Sequence, residues 1–355
     1  MRIGVPKETK SLEGRVGLIP AACADLLHAG HAVFIESGAG LNSGYPDSAY
    51  AALGVTVVPD ADQLYGSAEL IVKVKEPIAG DLERLRADHT LFCYLHLAAD
   101  RALTERLQAI GLTAVGFETV EVDGALPLLA PMSDIAGRLA IQIGATLLHQ
   151  PHGGKGLLLG GLPGVERGRV TIIGAGHAGG SAAAMAAALG AEVTVFDRKR
   201  ERLAAMHALG HNVSALYPYD EVVAAAVHAC DLLIGAVLIP GAKAAHVVSA
   251  EQVRGMTPGS VVVDISVDQG GCIETTRPTT YADPTYSVDG VVHFCVTNMP
   301  GAVPRTASQA LSAAILPHAL RLAGDPDWRR DPALSRGINV ADGEIRHPAV
   351  RAAFA

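Results

Sequence analysis

A glycine-rich turn between two apolar runs constrains the fold of this chain more than any other part of its sequence. The run Val170–Ile173 leads into the motif Gly174-x-Gly176-x-x-Gly179. An alanine-rich stretch follows, and then a second apolar run that ends at Asp197. In a strand–turn–helix–strand unit, such glycines permit a tight turn, close approach of a pyrophosphate, and close packing of helix on strand. The pattern predicts a Rossmann-type unit whose helix N-terminus binds the pyrophosphate of a dinucleotide.

Asp197 indicates which dinucleotide is bound. It lies 18 residues beyond the third glycine, where a carboxylate at a strand end accepts hydrogen bonds from the ribose diol of NAD. The next residues, Arg198, Lys199 and Arg200, have the opposite meaning, since cations here accommodate the 2′-phosphate of NADP. We expect the charge of Asp197 to dominate and NAD to be preferred. Because 39 of the 355 residues are glycine, the alternative is a structural turn without a ligand.

Composition excludes several classes of protein. Hydrophobic residues make up 49% of the chain and charged residues 18%, as in a globular protein with a large core. The formal net charge of −8 leaves no broad basic face for nucleic acid. The five cysteines are scattered, and no His, Cys or Asp cluster has metal-site spacing, so we expect reduced thiols and no metal. The polar N-terminus predicts no signal peptide, and we expect a cytoplasmic protein without a membrane partner.

The order of patterns along the chain predicts two α/β domains. Short strands and helices alternate over the first 125 residues, which is typical of a parallel sheet flanked by helices. A long helical pattern follows, with Ser133 as its expected N-cap. We predict a Rossmann-type NAD-binding domain over 129–303, inserted into a discontinuous substrate and catalytic domain formed by 1–128 plus 304–355. Each domain is expected to contain a mainly parallel sheet flanked by helices.

Four side chains are candidates for chemistry beside a cofactor that itself carries the hydride. His96 follows an apolar strand, and histidine is a side chain that can exchange a proton at neutral pH. The alternative is a histidine packed at a strand end. Lys75 ends the strand LIVKVK, and Arg15 follows a glycine. Each cation can hold a carboxylate, and the alternative for each is a solvated surface charge. Asp268 follows a strand in a glycine-containing loop that suits the nicotinamide; the alternative is a capping aspartate.

Seven segments resemble alanine dehydrogenases, in the same order along the chain. They are MRIGVPKETK, KVKEP, YLHLA, LPLLAPMSDIAGR, GAGHAG, VDISVDQGGC and TNMPGAVP. The similarity extends from residue 1 to about residue 325, and the tail after Trp328 departs from the family pattern. The chain also resembles the soluble nucleotide-binding subunit of proton-translocating transhydrogenase, a relative of the same architecture.

The resemblance implies an activity and a set of roles. The activity is NAD-dependent L-alanine dehydrogenase, which interconverts L-alanine with pyruvate and ammonia, in a homohexamer. By the resemblance, Arg15 and Lys75 bind the substrate carboxylate, His96 is the acid/base, and Asp268 is the second catalytic group. It also implies contacts to the cofactor: Ser133 to the pyrophosphate, Asp197 to the adenosine ribose, and Asn298 on the nicotinamide side of the cleft.

Three other functions fit parts of the pattern. Another amino- or imino-acid oxidoreductase of the same family would differ only in its substrate pocket. A transhydrogenase-type NAD(H)-binding subunit would need membrane helices or a membrane partner, and it has no use for Arg15, Lys75 and His96 together. A non-catalytic NAD-sensing module would bind the cofactor without turning over any amino acid.

Overall fold

The structure is a computed structural model that describes residues 1–237 and 246–354. It contains two compact units, one formed by Met1–Met132 with Gly301–Ala355 and the other by Ser133–Pro300. The division expected from the sequence lies at 128/129 and 303/304. The predicted class, an α/β fold with two mainly parallel sheets flanked by helices, is confirmed. Within the described residues, no helix is both long and apolar enough to cross a membrane.

The chain up to Leu147 alternates strands and helices because short Val, Ile, Leu and Phe runs are separated by polar or glycine-containing segments. The strands are β1 (Arg2–Val5), β2 (Ala32–Glu36), β3 (Thr56–Val58), β4 (Leu70–Val72), β5 (Thr90–Cys93) and β6 (Thr113–Gly116). The helices are α1 (Pro20–His28), α2 (Asp47–Ala51), α3 (Ala61–Ser67), α4 (Ala79–Leu82), α5 (Arg101–Ile110) and α6 (Ala130–Leu147).

The remaining elements continue this alternation. The strands are β7 (Arg169–Ile173), β8 (Glu192–Phe196), β9 (Val213–Leu216), β10 (Leu232–Gly235), β11 (Val261–Asp264), β12 (Thr285–Val288), β13 (Val291–Phe294), β14 (Ile338–Ala341) and β15 (Glu344–Ile345). The helices are α7 (His177–Ala188), α8 (Arg200–His207), α9 (Asp220–Ala229), α10 (Ala250–Arg254), α11 (Pro304–Gly324), α12 (Pro332–Gly337) and α13 (Pro348–Ala353).

The sheet of the first unit has the order β15-β14-β6-β5-β4-β1-β2-β3. Strands β1 to β6 are parallel, and the C-terminal hairpin β14–β15 adds antiparallel to β6. All residues of β4 and β6 are buried. Such strands are apolar throughout because helices cover both faces of a parallel sheet.

The sheet of the second unit has the order β12-β13-β11-β10-β7-β8-β9, and β12 is antiparallel to its neighbour. Both units therefore share one arrangement of six parallel strands, with the order reversing between β1 and β4 and between β7 and β10. At such a reversal the connections leave in opposite directions, and a crevice opens at the carboxyl ends of the strands. The fold places the predicted site residues near these strand ends.

One local prediction is wrong. Ser133 is not an N-cap, because α6 begins at Ala130 and Ser133 lies inside its first turn. Pro131 explains the earlier start, since the first turn of a helix has no intrahelical use for the N–H group that proline lacks.

Candidate active site

The glycine motif of the second unit has the geometry that its spacing predicts. Gly174 has φ +100°, and a Cβ atom there would lie 2.6 Å from the carbonyl oxygen of Ala236. A Cβ atom on Gly179 would lie 1.8 Å from the carbonyl oxygen of Gly174. By contrast, a Cβ atom on Gly176 would meet only Arg202 Nη1, at 3.8 Å, among atoms within 4 Å. Gly174 and Gly179 therefore permit the tight backbone, and Gly176 faces open space.

That open space is a pocket at the N-terminus of α7. Gly176 is the N-cap of this helix, and no side chain caps it. The first N–H groups of a helix have no intrahelical acceptor and, with the helix dipole, favour an anion. The pocket has a volume of about 350 Å³ and is lined by Asp134, Ala175, Gly176, His177, Gly180, Ser181 and Arg202. The backbone cradle and the arginine fit the pyrophosphate and adjoining ribose of NAD.

Asp197 is fixed beside this cradle. Its Oδ2 accepts from the backbone N–H of Ala175 and its Oδ1 from that of Lys199, both at 2.8 Å. Arg202 Nη1 lies 3.4 Å from Oδ2. Burial would raise the pKa of the Asp197 carboxyl, but these hydrogen bonds and the Arg202 charge bring it below its ordinary value. Asp197 is thus an anion at neutral pH and suits a ribose diol.

Several residues of this pocket are not indicated by the sequence motifs. Arg202 lies in the first turn of α8, beyond the basic run 198–200. Asp134 Oδ1 accepts from Ser181 Oγ at 2.9 Å and lies 3.8 Å from His177 Nδ1. His177 and Ser181 are four residues apart on one helix, and this spacing is the sequence signal that places them on the same face. No motif near Arg202 in the sequence indicates that it lines the pocket.

Three predicted residues lie elsewhere in the second unit. Ser133 is half-buried and precedes Asp134, which lines the pocket. Asp268 is exposed in a short 3-10 turn after β11, and Asn298 is half-buried beyond the end of β13. Because β11 and β13 are parallel neighbours, Asp268 and Asn298 follow strand ends at the same edge of the sheet.

A buried carboxylate organises the loop that carries Asp268. Asp264 is fully buried, and its Oδ1 accepts from the N–H and the hydroxyl of Ser266 at 3.0 and 2.9 Å. Its Oδ2 accepts from the N–H of Cys272 at 3.0 Å and from Thr276 Oγ1 at 2.9 Å. The loop is therefore tied at both of its ends to the last residue of β11.

In the first unit, Lys75 and His96 follow the ends of β4 and β5, which are parallel neighbours. The N–H of Tyr94 donates to the carbonyl of Val74 at 3.0 Å, so the two exits stay paired beyond the regular strands. Burial lowers the pKa of Lys75 from its ordinary value; Glu76 opposes this effect and the charge of Arg15 adds to it. Lys75 and Arg15 are both cations, a charge that suits a carboxylate.

Arg15 is buried and paired within its own segment. Its Nε and Nη2 donate to the two carboxylate oxygens of Glu13 at 2.7 and 2.5 Å, and its Nη1 lies 3.3 Å from Met132 Sδ. Burial alone would lower the pKa of Arg15, but the hydrogen bonds and charge of Glu13 raise it above the ordinary value. In the sequence, Glu13 precedes a glycine and indicates only a flexible segment before Arg15. In the structure, Glu13 orients the Arg15 guanidinium.

Helix α11 fixes the segment that carries Arg15. The N–H of Val16 donates to Ser308 Oγ and the N–H of Ile19 donates to Ser312 Oγ, each at 2.9 Å. These two serines are four residues apart, so they lie on one face of the helix. The residues around Arg15 need such partners because no helix or strand element includes residues 6–19.

His96 has an unusual backbone. It lies beyond the last residue of β5 with φ 51° and ψ 32°, in the left-handed region that few non-glycine residues adopt. Its N–H donates to Glu118 Oε1 at 2.7 Å. Its ring lies 6.0 Å from that of Tyr94, nearly parallel to it, and the Tyr94 hydroxyl donates to the carbonyl of Leu128 at 2.7 Å. The ring is half-buried, and its orientation is supported by a fixed aromatic neighbour.

Comparison with known proteins identifies the family of this chain. Residues 4–136 match the family described as "Alanine dehydrogenase/PNT, N-terminal domain", and residues 140–348 match "Alanine dehydrogenase/PNT, C-terminal domain". The alanine dehydrogenase of Halomonas elongata is 47% identical, over 100% of this chain and 97% of its own length. That of Bacillus subtilis is 48% identical, over 99% of this chain and 94% of its own length.

Two solved structures superpose on this chain over almost its whole length. The structure of an L-alanine dehydrogenase superposes with a TM-score of 0.96 and 50% identity, covering 100% of this chain and 99% of its own. The transhydrogenase from Sinorhizobium meliloti superposes with a TM-score of 0.85 and 25% identity, covering 98% of this chain and 100% of its own. The resemblance expected from the sequence segments is confirmed, and the chain belongs to the alanine dehydrogenase/PNT family.

Proposed function

We propose that this chain catalyses the reversible NAD-dependent oxidative deamination of L-alanine to pyruvate and ammonia. The observation that carries the proposal is the position of Lys75 and His96, which follow the ends of two neighbouring parallel strands. This arrangement supplies a carboxylate site and a proton carrier, which a unit that only binds NAD does not require. Full-length relatives named alanine dehydrogenase, at 44 to 48% identity, support the same activity.

The second unit holds the cofactor. The glycine turn and the N-terminus of α7 bind the pyrophosphate, and Ser133 contacts it from α6. Asp197 accepts hydrogen bonds from the adenosine ribose, and Asn298 contacts the nicotinamide portion. When bound, NAD supplies the acceptor for the hydride that leaves the substrate.

The first unit binds the substrate and supplies the base for the addition of water. Arg15 and Lys75 bind the carboxylate and thereby fix the direction of the Cα hydrogen, which converts orientation into rate. Loss of the hydride leaves an iminium, to which water adds while His96 accepts the water proton. Collapse of the resulting carbinolamine expels ammonia and forms pyruvate. Asp268 stabilises the positive charge on the substrate nitrogen and orients the water.

NADH absorbance with a panel of L-amino acids tests this function. We expect L-alanine to give the highest kcat/KM, and pyruvate with ammonium to consume NADH. A higher kcat/KM for another amino or imino acid would assign the chain to a different member of the family. Tight NADH binding without turnover of any of them would indicate the transhydrogenase-type or sensing role.

We also propose that the enzyme is a homohexamer in the cytoplasm, with L-alanine, pyruvate and ammonia as its small-molecule partners. The family resemblance supports the hexamer, and the net charge of −8, which leaves no broad basic face, supports the lack of a nucleic-acid partner. Light scattering of the purified protein measures the assembly directly. A mass of one or two chains would contradict the hexamer.

A further inference from the structure

Two glutamates bind the backbone at the exits of neighbouring strands. Glu8, which follows β1, places its Oε1 2.6 Å from the N–H of Val74 and 3.3 Å from the N–H of Lys75. Glu118, which follows β6, places its Oε1 2.7 Å from the N–H of His96. The N–H of Leu95 lies 3.2 Å from both oxygens of Glu118. In each case one carboxylate accepts from a proposed active-site residue and from the residue before it.

The contact at His96 holds a conformation that the chain does not adopt by default. A left-handed backbone is unfavourable for a residue with a Cβ atom and persists only where surrounding contacts enforce it. The Glu118 carboxylate forms charge-assisted hydrogen bonds to this turn, which are stronger than bonds between neutral groups. The direction in which the His96 side chain leaves the strand therefore depends on Glu118.

The Glu8 carboxylate and the turn that carries Glu118 each have further partners. Glu8 Oε2 lies 3.6 Å from Nζ of the buried Lys73, which also donates to Asp81 at 2.7 Å. Next to Glu118, the Thr119 hydroxyl accepts from Asn339 Nδ2 at 2.6 Å. Asn339 belongs to β14, so the C-terminal hairpin supports the turn that carries Glu118.

We propose that Glu8 and Glu118 are positioning residues for Lys75 and His96, each acting through the backbone at a strand exit. This inference rests on the proposed function, because it assumes that Lys75 binds the carboxylate and that His96 transfers a proton. In this proposal neither glutamate contacts the substrate. The two residues form a matched pair, called here the exit clamps, and the pair predicts separable kinetic effects.

Substitutions at Glu118 test the first clamp. Glu118→Ala should lower kcat by about 10- to 100-fold, since small misplacements of a catalytic group have effects of this size. KM for pyruvate should stay within about twofold. Glu118→Gln should retain most of kcat, because its amide oxygen can accept the same N–H bonds. Glu118→Asp, which keeps the charge but shortens the reach, should behave like the alanine variant.

Substitutions at Glu8 test the second clamp. Glu8→Ala should raise KM for pyruvate by about tenfold or more and lower kcat less, because Lys75 belongs to the carboxylate site. KM for NADH should not change in any clamp variant. Glu8→Gln should recover part of the pyruvate affinity through its amide oxygen.

A matched control is available close by. Glu121 is a partly exposed glutamate that pairs with Arg336 at 2.9 Å, and Glu121→Ala should leave all kinetic constants unchanged. Thermal unfolding of every variant separates loss of fold from loss of position. If Glu118→Ala does not fold, the comparison of Glu118→Gln with Glu118→Asp still decides.

Three outcomes overturn the clamps. They are equal kcat for folded Glu118→Gln and Glu118→Asp, the same kinetic constant showing the larger change at both sites, or changes in thermal stability alone. His96→Ala and Lys75→Ala, assayed in parallel, keep the two proposals separate. If those variants lose activity while the clamp variants do not, the clamps are wrong and the proposed function stands. If His96→Ala and Lys75→Ala also retain full activity, the proposed function fails.

Discussion

The two units share a strand order but differ in the connection between their first strand and first helix. In the second unit β7 ends at Ile173 and α7 begins at His177, so only the glycine turn separates them. In the first unit β1 ends at Val5 and α1 begins at Pro20. The longer connection carries the charged residues Glu8, Glu13 and Arg15.

This difference determines which groups can act at the crevice. A tight glycine turn presents backbone N–H groups and a helix N-terminus, which suit a phosphate of any attached molecule. A long connection presents charged side chains, which need partners such as Glu13 for Arg15 and which suit a small carboxylate. On the proposed function, the same topology supports cofactor binding by backbone groups in the second unit and substrate binding by side chains in the first. We therefore expect substitutions of Arg15, Lys75 and His96 to affect chemistry, and substitutions of Asp197 and Arg202 to affect cofactor choice.

The largest expected effect is that of His96→Ala. It should lower kcat for alanine oxidation by about 10²- to 10⁴-fold, the usual contribution of a positioned proton carrier. NAD affinity should change little, because His96 belongs to the first unit. Steady-state kinetics measure kcat. Displacement of NADH by NAD, followed by NADH fluorescence, measures the affinity for NAD. His28→Ala, an exposed histidine of the same unit, is the control. A kcat close to that of the unmodified enzyme would return His96 to a purely structural role.

Loss of the carboxylate site should have the next largest effect. Lys75→Ala should lower kcat/KM for pyruvate by about 10- to 100-fold, as expected when one charge-assisted contact to an anion is removed. Arg15→Lys should have a smaller effect, because it keeps a cation but loses the planar geometry that pairs with Glu13. The measurement is initial velocity against pyruvate at saturating NADH and ammonium. Unchanged constants in both variants would contradict a carboxylate site in this unit.

Cofactor choice should respond to the second unit alone. The native enzyme should prefer NAD, and Asp197→Ser should raise kcat/KM for NADP relative to NAD by about tenfold, because Arg202 would no longer be paired with a carboxylate. Adding Arg202→Ala should abolish that gain, whereas adding Arg198→Ala should not. The ratio of kcat/KM for the two cofactors measures each step. A native preference for NADP, or equal gains with and without Arg202, would show that the wrong charges were chosen.

The smallest expected effect concerns pH. Because burial lowers the pKa of Lys75, its cation should be lost at a lower pH than that of a free lysine. Pyruvate affinity should therefore fall on the alkaline side, and Lys75→Arg should move this fall to higher pH, since guanidinium stays charged. Binding of pyruvate to the enzyme–NADH complex, followed by NADH fluorescence without ammonia, avoids titration of the co-substrate. An identical pH profile in both proteins would exclude Lys75 as the titrating group.

Sequence reasoning was accurate where the signal is local. The glycines and Asp197 of the second unit follow from spacing along one strand–turn–helix–strand unit, and the fold class and the family are confirmed. Ser133 as an N-cap was wrong because Pro131 allowed an earlier helix start. Glu118, Asn339 and Arg202 were missed because their partners depend on strand register and helix orientation, which no short motif encodes. The roles of the predicted site residues remain predictions: Arg15, Lys75, His96, Ser133, Gly174, Gly176, Gly179, Asp197, Asp268 and Asn298.

The dependence of the Arg15 segment on α11 has a consequence for biosynthesis. The ribosome completes Ser133–Pro300 before it makes the serines that bind residues 16 and 19, or the hairpin that extends the first sheet. Domains fold as units during synthesis. We therefore expect the cofactor-binding unit to fold on the nascent chain before residues 1–132, which precede it in translation but need partners that follow it. The segment made earlier would thus complete its folding later.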